Sequence, residues 1–228
     1  MNINDLELEM KRCKKCEHIF NNRYVDPVKE TQPLKVLPIF SGASSAPVVL
    51  IGQAPGISEY NSGKAFQGQA GGGIRDIFSN LGVPSHEFDS TVYQTSVTKC
   101  FPGRKKAKRK DQKTGDIYFN EEDRIPNSLE ITNCLPFLNS QIETIRPKIL
   151  LLLGKLAIDG YMRLRGRKYS GNLDQYVGTK DTWGDISVVF FPHTSGSSRW
   201  LNEQANRDLF KKAQTILKNE LASHEIIA

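Results

Sequence analysis

The positions of apolar residues along the chain predict alternating buried strands and amphipathic helices. Four segments have the continuous apolar character of strands buried on both faces: residues 47–51, 91–97, 148–153 and 186–191. Stretches in which apolar residues recur at intervals of three and four alternate with them, at residues 70–81, 128–145, 155–164 and 202–221. This alternation predicts an α/β fold with a mainly parallel sheet of about four strands covered by helices.

The length of the chain favours a single globular domain, and the shortness of its apolar runs argues against a membrane protein. At 228 residues the chain can bury a core as a single domain over residues 1–228, and it shows no internal repeat or flexible linker. No apolar run approaches the roughly 20 residues of a membrane span, and the charged N-terminus lacks the apolar core of a signal peptide. We expect a soluble, cytoplasmic, monomeric protein.

Two of the predicted strands end in loops with side chains suited to chemistry. Residues 52–56 read Gly-Gln-Ala-Pro-Gly, and the last strand is followed by His193 in a turn of small residues. The carboxyl ends of neighbouring parallel strands open into one crevice, where ligands bind. These two loops therefore predict a catalytic cleft.

The formal net charge of +6 is concentrated in one segment. Seven basic residues fall within ten positions after Gly103: Arg104, Lys105, Lys106, Lys108, Arg109, Lys110 and Lys113. Such a run cannot enter a core, so it forms either a solvated loop or a contact with a polyanion such as nucleic acid. A second basic stretch at residues 163–168 has the same two interpretations.

Four cysteines are candidate metal ligands: Cys13, Cys16, Cys100 and Cys134. The close N-terminal pair has the Cys-x-x-Cys spacing of a bidentate clip, whose thiolates can share one metal centre. The two distant cysteines either complete that centre or are ordinary buried thiols. Ligation by thiolates alone fits zinc and an iron-sulfur cluster equally well.

Five short motifs follow one another along the chain. They lie at residues 52–56 (GQAPG), 63–71 (GKAFQGQAG), 95–100 (TSVTKC), 134–138 (CLPFL) and 193–195 (HTS). In their order, and in the placement of all four cysteines, they resemble the family 4, iron-sulfur-containing branch of the uracil-DNA glycosylase superfamily. The resemblance covers most of the chain, and the main addition is a basic insertion near residues 104–124.

The resemblance implies a fold, a cofactor and an activity. The fold is a three-layer α/β/α sandwich, and the cofactor is a 4Fe-4S cluster held by the four cysteines. The activity is that of a monofunctional DNA glycosylase, which flips a deaminated base, uracil above all, out of single- or double-stranded DNA and hydrolyses its N-glycosidic bond in base excision repair. Hypoxanthine or xanthine is an alternative base, and a catalytically weak nucleic-acid-binding homologue is an alternative function.

Candidate roles for the two strand-end loops follow from the chemistry of this reaction. Breaking the bond develops negative charge on the departing base, and a hydrogen-bond donor such as His193 lowers the barrier by stabilising that charge. In the resembled family the first loop contacts the base through its backbone and helps to place the attacking water, so the resemblance implies that Gly52, Gln53 and Ala54 contact the base and that Gln53 positions the water. The resembled family usually carries Glu at position 53. The amide of Gln53 can orient a water but cannot accept its proton as a carboxylate would.

Other candidate residues concern the flipped base and the DNA backbone. Phe66, in a glycine-rich loop, is expected to stack on the base. Ser96 is expected to contact the edge of the base, at the position where the resembled family has Asn. The predicted DNA contacts are Ser195 at a phosphate, Arg199, and Lys105 and Lys106 in the basic insertion. The resembled family fills the vacated stack with a bulky apolar wedge after this serine; here the wedge is either missing or replaced by Arg199 or Trp200.

Overall fold

The computed structural model describes residues 2–21, 23, 25, 33–111, 113–194 and 199–227. Its strands are β1 (Val48–Gly52), β2 (Val92–Ser96), β3 (Arg104–Lys110), β4 (Ile117–Asp123), β5 (Ile149–Leu153), β6 (Lys180–Trp183) and β7 (Ile186–Phe191). Its α-helices are α1 (Ile3–Lys11), α2 (Glu17–Phe20), α3 (Ile57–Ser62), α4 (Gln69–Asn80), α5 (Phe88–Thr91), α6 (Ser128–Ile145), α7 (Lys155–Leu164) and α8 (Gln204–Ser223).

A central sheet of five strands has the order β2-β1-β5-β7-β6. Strands β2, β1, β5 and β7 are parallel, which confirms the four predicted strands. The edge strand β6 is antiparallel to β7 and was not predicted. Its residues are partly or fully exposed, so it lacks the apolar run by which the buried strands were recognised.

Helices cover both faces of this sheet and give the three layers that the resemblance implied. Successive residues of β1 point to opposite faces, so Val49 and Ile51 pack with α1, α6 and α7, whereas Val48 and Leu50 pack with α4 and α8. Burial on both faces explains why these strands are continuously apolar. None of the helices in the described ranges is long and apolar enough to cross a membrane.

Local signals in the sequence set the ends of the long helices. Asn127 caps α6, because its side chain accepts the backbone N–H of Glu130 while the Glu130 carboxylate accepts that of Asn127. Gly154, with a φ of 83°, makes the sharp turn from β5 into α7. The observed bounds of α6 and α7 are those predicted from the apolar periodicity.

The basic insertion is a β-hairpin that stands outside the central sheet. Strands β3 and β4 pair antiparallel over their whole length, from Arg104 opposite Asp123 to Lys110 opposite Ile117. The Asp111 carboxylate accepts the backbone N–H groups of the turn residues Lys113 and Thr114, which lowers its pKa. The basic insertion therefore forms a two-stranded antiparallel ribbon. We call it the β3–β4 hairpin.

Candidate active site

A single cleft lies at the carboxyl ends of the parallel strands. Strand β1 has β2 on one side and β5 on the other, so the chain reverses its direction of winding at this point and leaves a crevice. The crevice is a cavity of about 920 Å³. All six residues that the sequence predicted to bind the base or to act in catalysis line it: Gly52, Gln53, Ala54, Phe66, Ser96 and His193.

The ends of β1 and β2 are joined at the base of this cleft. Gly52 pairs with Ser96 in the register of the two strands. The carbonyl oxygen of Gly52 accepts the N–H of Val97 at 2.9 Å, and that of Gln53 accepts the N–H of Thr98 at 3.3 Å. Ser96 is only 5% exposed. The loop that carries Gln53 and the strand end that carries Ser96 are thus held as one surface.

Phe66 lies directly over Gly52. A Cβ atom added to Gly52 would stand 2.9 Å from Cζ of Phe66, so any larger residue would displace the ring. Phe66 itself has a φ of 52°, an uncommon value for an aromatic residue. A Cβ on Gly71 would stand 1.9 Å from the carbonyl oxygen of Phe66. The glycines at 52 and 71 are therefore the reason that this half-buried ring can form a wall of the cleft.

His193 follows β7 and packs against the end of β5. A Cβ on Gly154 would stand 3.6 Å from Cβ of His193, and Gly154 donates its N–H to Phe191 at 2.9 Å. The next residue, Thr194, donates its hydroxyl to the carbonyl oxygen of Ala70 at 2.9 Å. The histidine loop is thereby fixed to both β5 and the first turn of α4.

The cleft changes the acid–base behaviour of His193. Part of the His193 side chain is exposed to solvent. The walls of the cleft surround the rest of the imidazole and reduce its hydration. This burial lowers the pKa of His193 below its ordinary value of 6.5, because the charged form loses hydration. The imidazole is therefore neutral at pH 7 and can present one N–H donor.

Glu59, on α3, was missed by the sequence analysis and organises two of the loops. Its Oε2 accepts the N–H of Gly56 at 2.9 Å, while its Oε1 accepts the N–H groups of Gln67 and Gly68, each at 2.8 Å. One carboxylate thus joins the loop of Gln53 to the loop of Phe66. A glutamate three residues after the residue preceding a helix is the signal of a capping box, and it could have identified Glu59.

The base of the β3–β4 hairpin forms another wall of the cleft. Arg104, Glu121, Glu122 and Asp123 line the cavity together with the two loops, and the side chain of Arg109 joins them from further along β3 by pairing with Glu122. The Asp123 carboxylate accepts the N–H of Ile57 at 3.2 Å and lies 3.3 Å from Nε of Arg104, which also pairs with Glu121. Burial raises the pKa of Asp123. The two predicted loops contain no Asp or Glu. Three carboxylates of the cleft wall come instead from the β3–β4 hairpin.

The predicted DNA contacts are less closely associated with the cleft. Lys105 and Lys106 are exposed on β3, opposite Glu122 and Glu121 of β4. Arg199 is exposed at the start of a 3-10 helix, and among the described residues it lies outside those that line the cavity. Its neighbour Trp200 packs against the core, so it is held away from the role of a wedge. Ser195 falls outside the described residues.

The four cysteines come from three distant parts of the chain. Cys13 and Cys16 lie between α1 and α2, Cys100 lies just after β2, and Cys134 lies in α6. Burial, and after it the thiols of Cys134, Cys13 and Cys16, raise the pKa of Cys100 well above its usual value. The four thiols therefore share one neighbourhood. Within the described part of the chain, no group of three or more His, Cys, Asp or Glu side chains could hold a single metal ion.

A buried lysine connects the cysteines to the cleft. Lys99 is 1% exposed and donates its ammonium to the carbonyl oxygen of Ser96. Burial lowers its pKa to about 7, against the opposing effect of the Cys134 and Cys100 thiols. The strand end that carries Ser96 is thus packed directly against the cysteine neighbourhood.

Comparison with known proteins agrees with this geometry. The family model of the uracil DNA glycosylase superfamily matches residues 39–218. A type-4 uracil-DNA glycosylase of Archaeoglobus fulgidus is 27% identical over 216 residues, which cover 92% of this chain and 90% of that protein. One of Pyrobaculum aerophilum is 32% identical over 121 residues, which cover 53% of this chain and only 50% of that protein. One of Thermotoga maritima is 26% identical over 76% of this chain and 79% of its own.

Proposed function

The chain belongs to the uracil DNA glycosylase superfamily, and from this premise we propose that it removes uracil from DNA. The reaction is the hydrolysis of the N-glycosidic bond between uracil and deoxyribose, which leaves an abasic site for base excision repair. The observation that carries the proposal is the convergence of His193, Gln53, Phe66 and Ser96 on one cavity. The similarity to type-4 uracil-DNA glycosylases over 92% of the chain supports it.

His193 is proposed to stabilise the departing base. As the bond breaks, positive charge develops on the sugar and the bond electrons pass to uracil, which leaves as an anion. A neutral imidazole at the end of β7 donates a hydrogen bond to the base oxygen on which that charge grows. The lowered pKa means that this donor is the neutral imidazole at pH 7, which keeps one N–H to donate.

Gln53 is proposed to position the water that attacks the sugar. Its amide can accept one hydrogen bond from the water and donate another to the base. The water adds to the anomeric carbon and gives up a proton, which is released to solvent, while uracil departs. Gly52 and Ala54 allow the backbone beside Gln53 to approach the base closely. Glu59 positions this loop and does not touch the substrate in this proposal.

Phe66 and Ser96 are proposed to hold and choose the flipped base. The Phe66 ring offers a face on which a base can stack. Ser96 presents a short hydroxyl that donates or accepts, so it can meet more than one base edge. That property favours hypoxanthine or xanthine as second substrates.

The four cysteines are proposed to hold a 4Fe-4S cluster with a structural role. Four cysteine thiolates are the usual ligand set of such a cluster. The thiols of Cys13, Cys16 and Cys134 all contribute to raising the pKa of Cys100. When bound, the cluster would fasten the N-terminal segment to the end of β2 and to α6.

The protein is proposed to act on DNA as a monomer. Ser195, Arg199, Lys105 and Lys106 are proposed to contact the DNA backbone. Side chains of this kind position DNA without reading its sequence.

The test is a panel of oligonucleotides that carry uracil, hypoxanthine, xanthine or no lesion, single- and double-stranded. Abasic sites are detected by alkaline cleavage and gel electrophoresis. Cleavage of uracil DNA supports the proposal. Stronger cleavage of hypoxanthine or xanthine DNA would show that one of these bases, and not uracil, is the preferred substrate. Binding to every oligonucleotide without any cleavage would refute the proposed glycosylase activity and identify the protein as a nucleic-acid-binding homologue.

A further inference from the structure

The β3–β4 hairpin has two halves of different chemistry. In the half nearest the cleft, Arg104, Lys105 and Lys106 stand opposite Asp123, Glu122 and Glu121, and Arg104 pairs with Glu121 and Asp123. In the outer half, basic residues stand opposite apolar ones: Lys108 opposite Phe119, Arg109 opposite Tyr118, and Lys110 opposite Ile117. Arg109 reaches back along the hairpin to pair with Glu122. The basic residues of the outer half that face no acidic residue are therefore Lys108 and Lys110.

The apolar residues of the outer half are exposed. Phe119 is 65% exposed, Ile117 57% and Tyr118 46%. Residues that stand opposite each other share a face of an antiparallel pair, and the side-chain period is two. Phe119, Ile117, Lys108 and Lys110 therefore share one face of the hairpin. An exposed aromatic ring between lysines is a surface that suits a nucleic acid with uncovered bases.

This face is continuous with the cleft. Asp123 lies on it, and the bond from the N–H of Ile57 to Asp123 fixes the root of the hairpin to the helix that follows the Gln53 loop. Phe119 is four residues further along β4, a distance of about 13 Å at about 3.3 Å per residue. A strand of duplex DNA, at about 3.4 Å per nucleotide, covers this distance with about four nucleotides, and an extended single strand covers it with fewer.

We propose that the outer half of the β3–β4 hairpin binds unpaired DNA next to the flipped nucleotide, with Phe119 stacked on a base and Lys108 and Lys110 beside the phosphates. The inference rests on the proposed function, because it takes the strand in the cleft to be DNA. Single-stranded DNA is the occupant that fits, since the faces of its bases are accessible. In a duplex those faces are covered by the neighbouring base pairs. The lysines supply the complementary charge.

The first measurement is the dissociation constant for a single-stranded, uracil-free oligonucleotide. Loss of one base–aromatic stack weakens binding by about 5-fold to 100-fold, so Phe119→Ala should show a loss in this range, and Phe119→Trp should bind at least as well as the parent. The matched control is Leu8→Ala, which removes an apolar side chain that is 52% exposed on α1. Parent affinity for Phe119→Ala, with a folded protein, would overturn the proposal.

The salt dependence separates stacking from charge. Lys108→Gln should reduce the slope of log affinity against log salt by about 0.7 for a lost contact with a single strand. Phe119→Ala should leave the slope unchanged, because a stacked ring displaces no counterions. A smaller effect of Phe119→Ala on duplex than on single-stranded DNA is expected. An equal effect on both would refute recognition of unpaired bases.

The position of the contact is tested with the length of the DNA. On uracil oligonucleotides that extend one nucleotide to either side of the lesion, the parent and Phe119→Ala should excise uracil with equal KM, because one nucleotide is too short to reach Phe119. With eight nucleotides on both sides, the variant should show the raised KM. If the parent excises no base at all, the proposed function fails, whereas normal excision with no effect of Phe119→Ala at either length refutes only the role of the hairpin. A parent dimer that becomes a monomer in Phe119→Ala, with unchanged DNA affinity, would assign the face to self-association instead.

Discussion

Removal of the Glu59 carboxylate should weaken both the fold and the reaction. Glu59 accepts three backbone N–H groups, from Gly56, Gln67 and Gly68. A hydrogen bond to a charged group contributes about 1.5–3 kcal/mol. Water can replace the bond to the exposed Gln67, but less readily those to the half-buried Gly56 and Gly68. We therefore expect Glu59→Ala to lower the free energy of unfolding by about 2–4 kcal/mol.

The effect on excision should exceed what partial unfolding explains. Glu59 holds the loops of Gln53 and Phe66 in fixed relation, and a misplacement of about 1 Å at a reacting centre can reduce a rate about 100-fold. The single-turnover rate of uracil excision by Glu59→Ala should thus fall about 10-fold to 100-fold at a temperature where the variant is folded. Glu59→Gln should be intermediate, because its amide NH₂ would face at least one of the backbone N–H donors.

The assay pairs urea unfolding with single-turnover kinetics on a uracil oligonucleotide. The matched control is Glu143→Ala on α6, where an exposed glutamate accepts a side-chain hydrogen bond only from Asn139 among the contacts described. That variant should match the parent in both measurements. Excision by folded Glu59→Ala within two-fold of the parent rate would refute the role of Glu59 in positioning the two loops.

The remaining predictions concern the base, the cluster and specificity. His193→Ala should lower single-turnover excision by at least about 100-fold with little loss of DNA affinity, and an unchanged rate would remove the catalytic assignment. Because burial lowers its pKa, an NMR titration of His193 should have its midpoint below the ordinary value of 6.5, and a midpoint above 6.5 would contradict the burial of the imidazole. Cys134→Ala should lose both iron and thermal stability, measured by visible absorption and calorimetry; a colourless parent with stoichiometric zinc would contradict the cluster. Ser96→Asn should raise the preference for uracil over hypoxanthine in competition assays, and an unchanged preference in a folded variant would place base selection elsewhere.

The sequence predicted the parallel sheet well, because burial on both faces leaves a clear apolar pattern. The edge strand β6 was missed because it is half exposed and its residues are mostly polar. The β3–β4 hairpin was missed for a related reason. Its first strand is charged at nearly every position, so no alternation of apolar and polar residues marks it as a strand.

In the candidate site, the sequence identified the residues that end strands but missed those that hold them. His193 and Gln53 follow apolar runs, and the topology of a parallel sheet places such residues together. Asp123 acts on the backbone N–H of Ile57, 66 positions earlier in the chain, and Glu59 acts on backbone N–H groups of two loops that the fold brings to its carboxylate. Contacts of this kind depend on the folded path of the backbone. Only the helix-capping position of Glu59 left a local signal in the sequence.

The way in which the β3–β4 hairpin joins the body of the protein allows its outer part to vary. Gly103 accepts the N–H of Arg124 at 2.8 Å, so the two ends of the insertion meet at one point. The segment leaves just after Cys100 and returns just before α6, which carries Cys134. Because the entropy of closing a loop rises only slowly with its length, a segment with fixed ends can change in size at little thermodynamic expense. The outer part of the hairpin can therefore change in length or sequence, provided that Arg104, Glu121 and Asp123 are kept, because these residues line the cleft and Asp123 holds Ile57.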